Sequence, residues 1–329
     1  MISIDEGAKR LVTVCAALTP EEHALIITDN NKLRIAQAVQ RYILEEMRGN
    51  VTMLVMPPQT VGGEEPLPEA AAAMKNTDVV FALNSCSLSQ TNARMEANKA
   101  GARWINFPDV QESDLTQRLM QADFAAVSPY VHQVAERLTN GKRFRITAPG
   151  GTDIAFDGTG RAGRGLDAMV RGKGAFRSMS VEANIGPLEE STQGIFVVDG
   201  SIPDVGPLDA PVSCLIENGR IVKIGGGTKA DLFAKRLAAL NDPNIYYAGE
   251  FGIGMNPCAI LTGNSYLEDE SAISTCHIGF GTNIAQGGTI RAAGHIDAVV
   301  VAPTIEIDGK LLMKDGEFTD IPLKPQKAR

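Results

Sequence analysis

The chain has 329 residues, 44% hydrophobic and 21% charged, with a net charge of −8 at neutral pH. That balance describes an ordinary globular protein long enough for two domains. It has no basic runs, one Trp and five Tyr, so it lacks both a phosphate-neutralising surface and a stacking platform; nucleic acid and anionic membrane are excluded as partners.

The five cysteines (Cys15, Cys86, Cys214, Cys258, Cys276) are odd in number and form no CxxC pair, so a reducing compartment is expected. The opening ISIDEGAKRL has no basic stretch leading into an apolar one, and no apolar run nears the roughly 20 residues that span a bilayer. The cytoplasm is the expected location.

In chain order, ALIITD (Ala24 to Asp29) reads as a strand buried on both faces. Asn30 and Asn31 offer an N-cap to a helix over KLRIAQAVQRYILEEMR, in which Ile35, Val39, Tyr42 and Ile43 recur at helical spacing. VTMLVM (Val51 to Met56) is the next strand, stopped by Pro57 and Pro58. A helix around Pro68 to Met74, the strand DVVFAL (Asp78 to Leu83), a helix in SLSQTNARMEANKAG ended by Gly101, and the strand ARWINF follow. Strands separated by helices of this length predict parallel βαβ units.

From about Arg143 the texture changes. TAPGGTDIAFDGTGRAG is a turn-rich β segment and GIFVVDGSI an apolar strand. VSCLIENGRIVKI places Asn218-Gly219 between two alternating runs, a hairpin signature, and TIEIDGKLLMKDGEF repeats that logic at Asp308-Gly309 and Asp315-Gly316. A helix is expected over Lys229 to Leu240. The fold class is therefore α/β: a βαβ domain over residues 1–142 and an α+β domain with much antiparallel sheet over residues 143–329.

Candidate chemistry concentrates in the second domain. His295-Ile296-Asp297 opens the apolar run AVVV. In a strand, residues i and i+2 share a face, so His295 and Asp297 project together. They could ligate one metal, or one ligand could go to each of two; the pair could equally be a polar strand start and its cap. His277 lies in HIGFG, eighteen residues earlier, with Gly287-Gly288 between. One hairpin would return His295 beside it, although such histidines can also be half-exposed hairpin residues. Glu250 ends the strand-like NIYYAGE before the Gly-rich loop GEFGIGMNP. It suits a metal ligand or general base, or plain exposure to water.

These motifs resemble the thermophilic metallopeptidase family of aminopeptidase T, which carries GE, H-I-A-x-G and H-x-D in that order. The matches are Gly249-Glu250, His277 to Gly281, and His295-Ile296-Asp297. An earlier family glutamate, ahead of a G-x-L-V-V-D-G-S strand, has its counterpart in VEANIGP as Glu182, followed by GIFVVDGSI. The segment SLSQTNARMEANKAGAR is also similar. The resemblance implies metal ligands at Glu182, Glu250, His277, His295 and Asp297 and a homodimer. The family's tyrosine, seven residues after the first histidine, is Ile284 here.

The chain also resembles the 2,5-dihydroxypyridine 5,6-dioxygenase branch of the same superfamily. Asn241-Asp242-Pro243 and the stretch holding Gly281, Asn283 and Gly287-Gly288 match its pattern. That branch holds one iron, with a histidine where this chain has Glu250 and a serine where it has Gly279.

Three carboxylates and two imidazoles suit a pair of divalent ions, so the donor count favours hydrolysis of an amide or similar C–N bond in a small-molecule substrate or a peptide. Zn, Mn or Co would activate the water, with Glu182 or Glu250 as bridging ligand or general base. The alternative is a ring-cleaving dioxygenase with one Fe(II) on His277, His295 and Asp297, a 2-His-1-carboxylate set. A binding protein with a decayed site is the third class. Among other features, Cys258 and Cys276 read as buried thiols, Gly225 to Thr228 as a hairpin exit, and Glu268-Asp269-Glu270 as a solvated turn. Neither GxGxxG nor a P-loop occurs.

Overall fold

The computed structural model describes residues 2–60, 62–89, 91–116, 118–203 and 205–326. Two compact units form: Met1–Phe124 with Leu166–Met179, and Ala125–Gly165 with Ser180–Arg329.

In the first unit five strands lie side by side in the order Asn50–Met56, His23–Asp29, Val79–Leu83, Arg103–Asn106, Phe176–Ser178, and every neighbouring pair is parallel. The parallel βαβ reading holds. Leu25, Ile27, Val80, Ala82 and Trp104 form one buried cluster with Ala70, Met74, Ala93 and Ala97. The last four lie on the helices Pro68–Lys75 and Asn92–Ala100. The second helix ends at Gly101, whose φ of +114° needs a residue without Cβ. The helix Leu33–Arg41 starts later than expected: its N-cap is Lys32, because Asn31 gives its backbone N–H to Asp29. The sequence reading missed the first helix, Ile4–Arg10, capped by Ser3.

The second unit opens with a further helix that went unread, Phe124–Asn140, which contains Pro129. Val127, Val131, Val134 and Leu138 are buried along it, a helical spacing that outweighs the proline near its start. An eight-stranded sheet runs Arg220–Gly225, Val212–Glu217, Gln193–Val198, Asp153–Asp157, Arg143–Thr147, Thr304–Ile307, Lys310–Lys314, Glu317–Phe318. Its hairpins turn where expected: Asn218 and Gly219 take φ of 49° and 73° between antiparallel partners. The helix Thr228–Ala239 follows Gly225–Gly227, and Asp209 accepts the N–H groups of Thr228 and Lys229 at its start.

A second, five-stranded sheet places side by side, in order, His295–Val301, Thr275–Gly281, Ala248–Gly254 and Val181–Ile185, these four all antiparallel. Aromatic rings join the two sheets. Phe251 lies 5.4 Å from Phe156 and 6.5 Å from Phe144, while Phe280 lies 6.1 Å from Phe196. None of the five cysteines forms a disulfide. No helix among the described residues is long and apolar enough to cross a membrane.

Candidate metal centre

These four strands of the second sheet build the site through period two. Its register sets Glu250 opposite Gly279 and Gly279 opposite Asp297; Gly252 opposite His277; Gly281 opposite His295; and Gly254 opposite Glu182. Because alternate residues share a face, Glu182, Glu250, His277, His295 and Asp297 all project to one side. Phe251, Ile253, Ile278, Phe280 and Ile296 project to the other and are buried. The glycines between the polar residues are the reason for the repeats GEFGIG and HIGFG. A Cβ on Gly252 would come 2.1 Å from His277 Nε2, and one on Gly279 would come 2.4 Å from His295 Nε2. Side chains there would fill the space in which the imidazoles stand.

All five residues singled out in the sequence therefore converge. They fall into two overlapping groups of possible metal ligands, Glu182–Glu250–His277 and Glu250–His295–Asp297, with Glu250 common to both. His295 Nε2 lies 3.1 Å from Asp297 Oδ1 and 3.2 Å from Glu250 Oε2. His277 Nε2 lies 3.1 Å from Glu182 Oε2 and 3.9 Å from Asp297 Oδ1. His277 and Glu182 are 1% and 4% exposed at their side chains, against 25% for His295 and 13% for Asp297. The first pair forms the floor, and the second faces the opening.

The electrostatics are those of a cation site. Burial disfavours charge on His277, yet Glu182, Asp297 and Glu250 lift it to about 9. His295 is raised well above its ordinary value against the same burial, chiefly by Asp297. Burial pushes Glu182 upward, while Asp297 is held at about 2, against burial, by His295 and His277. Carboxylates that pull protons onto imidazoles will accept a divalent ion in their place.

Two further observations fit a metal. Glu182 Oε2 and His277 Nδ1 are buried without a hydrogen-bond partner, an arrangement that demands compensation; Glu182 Oε2 has His277 Nε2 within ion-pair distance but not in a hydrogen-bonding direction. Donor spacing also matches: two ligand atoms each about 2.1 Å from one ion at right angles are about 3.0 Å apart.

The sequence reading missed several residues of this site. Glu268, Asp269 and Glu270 are not a solvated turn. They sit on the helix Tyr266–Ser271 and are 1%, 3% and 7% exposed. Asp269 accepts the N–H groups of Thr262 and Gly263, and Glu268 that of Ile260. Glu270 hydrogen-bonds Asp297, and burial together with Glu182, Asp297 and Glu250 drives it strongly toward its neutral form. Asn184, two residues after Glu182, donates to Glu182 Oε1 at 2.9 Å. Gln286 donates its amide to Glu250 Oε2. The run of three acids at 268–270 was a visible signal; for Gln286 the sequence held none. Cys276 lies on the apolar face and its thiol is pushed up by burial.

The family model for 2,5-dihydroxypyridine 5,6-dioxygenase matches residues 7–320. The chain belongs to the 2,5-dihydroxypyridine 5,6-dioxygenase family. Two solved structures share its fold. The 2,5-dihydroxypyridine dioxygenase from Pseudomonas putida KT2440 is 16% identical and superposes with a TM-score of 0.83, covering 97% of each chain. Wild-type AmpT from Thermus thermophilus is 13% identical, with a TM-score of 0.67 over 96% of this chain and 98% of its own. No curated protein sequence is close enough to match.

Both resemblances read from the motifs are thus present, and the family assignment overturns the hydrolase that the donor count favoured. With the hydrolase falls the metallopeptidase or amidohydrolase-like activity expected with it. The reason is physical: a donor set limits which cations a site can hold but does not choose the reaction performed on them. As an enzyme of the dioxygenase family, the protein acts on a small molecule and has a site able to hold a divalent metal ion.

Proposed function

We propose that this protein is a ring-cleaving dioxygenase of a dihydroxypyridine-like heteroaromatic, with one Fe(II) held by Glu250, His295 and Asp297. The family match over residues 7–320 carries this reading. The distances of 3.1 and 3.2 Å around His295 Nε2 support the ligand trio, since they suit three donors on one face of an ion. His277 faces Glu182 more closely than Asp297, so it is not placed among the iron ligands.

When bound, Fe(II) with open coordination positions supplies the means of bringing dioxygen and a hydroxylated ring together. The chain's own groups do the rest. His295 and Asp297 border the opening and receive the ring there. Glu182 and His277, on the floor, form a buried carboxylate–imidazole pair whose role is to exchange a proton with a ring hydroxyl. Asn184 fixes Glu182 by its other oxygen. Phe251 and Phe280 back the sheet and keep water from its far side. The cytoplasmic location and the homodimer belong to the same reading, and five cysteines outside any disulfide support the former.

The test is oxygen uptake by protein loaded anaerobically with Fe(II) and given 2,5-dihydroxypyridine. One dioxygen consumed per ring lost, read by electrode and by the fading ring absorbance, is the expected result. Neither uptake nor loss of absorbance, with this compound or with ring-substituted dihydroxypyridines, would overturn the reading.

A further inference from the structure

We propose that Gln286 is a positioning residue for Glu250, and that the Gly-rich loop carrying it holds that one amide in place. The inference rests on the metal reading above. Gln286 is 8% exposed and donates from Nε2 to Glu250 Oε2, the oxygen that also lies 3.2 Å from His295 Nε2. A carboxylate free to turn about its last bond offers a cation one oxygen, the other, or both. An N–H fixed on one oxygen selects a single orientation and occupies one of its lone pairs. Glu250 is common to both donor groups, so its orientation bears on every ligand in the site.

The loop has the construction this task needs. Gln286 closes the short turn Ile284–Gln286, and its backbone N–H bonds the carbonyl of Asn283 at 3.0 Å. Asn283 organises the rest. Its carbonyl accepts the Gly288 N–H at 2.9 Å, its Oδ1 accepts the Ile290 N–H at 2.7 Å, and its Nδ2 donates to Glu189 Oε1 at 3.3 Å. Gly288 is required, because a Cβ there would sit 2.1 Å from the Asn283 carboxamide. Glu189 Oε1 also accepts the N–H and the hydroxyl of Thr289 at 2.8 and 3.0 Å. Its Oε2 takes Arg161 Nη2 at 2.6 Å, and Arg161 Nη1 reaches the carbonyl of Gly287. Opposite the loop, Gly186 leaves the space Gln286 needs: a Cβ there would lie 2.9 Å from that of Gln286. A loop that only joined two strands would need neither an ion pair at its root nor a buried amide aimed at a carboxylate.

Cobalt(II) titration tests this with a readout independent of turnover. The wild-type protein, Gln286→Leu and Gln286→Met are titrated with Co(II), following heat and the visible absorption bands. Methionine keeps the volume of glutamine and removes the donor, so one variant serves if the other does not fold. Both are expected to bind Co(II) about 10- to 100-fold more weakly, with shifted bands, because the ligand oxygen presented to the ion changes. Unchanged affinity and bands in a folded variant would overturn the role of Gln286 and leave the metal reading intact. Wild-type protein that binds no Co(II) would overturn both.

Discussion

Gly279 stands between Glu250 and Asp297 in the paired strands, and a Cβ added to it would come 2.7 Å from Asp297 Oδ1 as well as 2.4 Å from His295 Nε2. Gly279→Ala is therefore expected to push apart the two ligands on the open side of the site. Metal affinity measured by titration should fall at least tenfold. Melting should show a cost of about 1–3 kcal/mol from overpacking. Normal metal binding in this variant would mean the donors are not arranged around an ion.

Removing the metal should silence the enzyme reversibly. Incubation with a chelator is expected to abolish oxygen uptake, Fe(II) to restore it, and Zn(II) to leave it silent, since zinc has no redox chemistry. Recovery with zinc alone would count against ring cleavage.

His295→Ala is expected to abolish activity while leaving the fold nearly as stable, because the side chain is 25% exposed and borders the opening. Circular dichroism and melting separate loss of the site from loss of the protein. Full activity in this variant would remove His295 from the reaction.

Glu189 should make the loop sensitive to acid. Burial alone would raise its value, but the N–H and hydroxyl of Thr289 and the Arg161 guanidinium bring it from 4.5 to about 2. A value lowered by folding contributes stability that is complete above the ordinary value of 4.5 and is lost as pH falls toward 2. Glu189→Gln should thus be less stable than wild type by roughly 1–3 kcal/mol at neutral pH, with the gap closing between about pH 4.5 and 2. Denaturant melts of both proteins across that range measure it.

Phe251→Ala should cost about 3–5 kcal/mol, because the ring packs on Phe144 and Phe156 between the two sheets. Equilibrium unfolding gives the value. Oxygen uptake should fall as well, since Phe251 lies between Glu250 and Gly252 on the strand that aims Glu250.

Much of this was legible in the chain itself. The alternation of glycine and polar residues with Phe251, Ile253, Ile278 and Phe280 determined which side chains share a face. The Asn218-Gly219 turn and the parallel βαβ units of the first sheet were equally local or periodic. Such features depend on φ/ψ preference and side-chain period, which act over a few residues. Tertiary structure alone decided that Glu182 meets His277, that Glu270 is buried against Asp297, and that Gln286 reaches Glu250. Each of these joins segments far apart in sequence, and their register is set by the packing of two whole sheets. Charge in a sequence suggests water, yet the run at 268–270 is buried because backbone N–H groups of another segment satisfy Glu268 and Asp269. A carboxylate's surroundings, rather than its identity, decide whether it is solvated or part of a site.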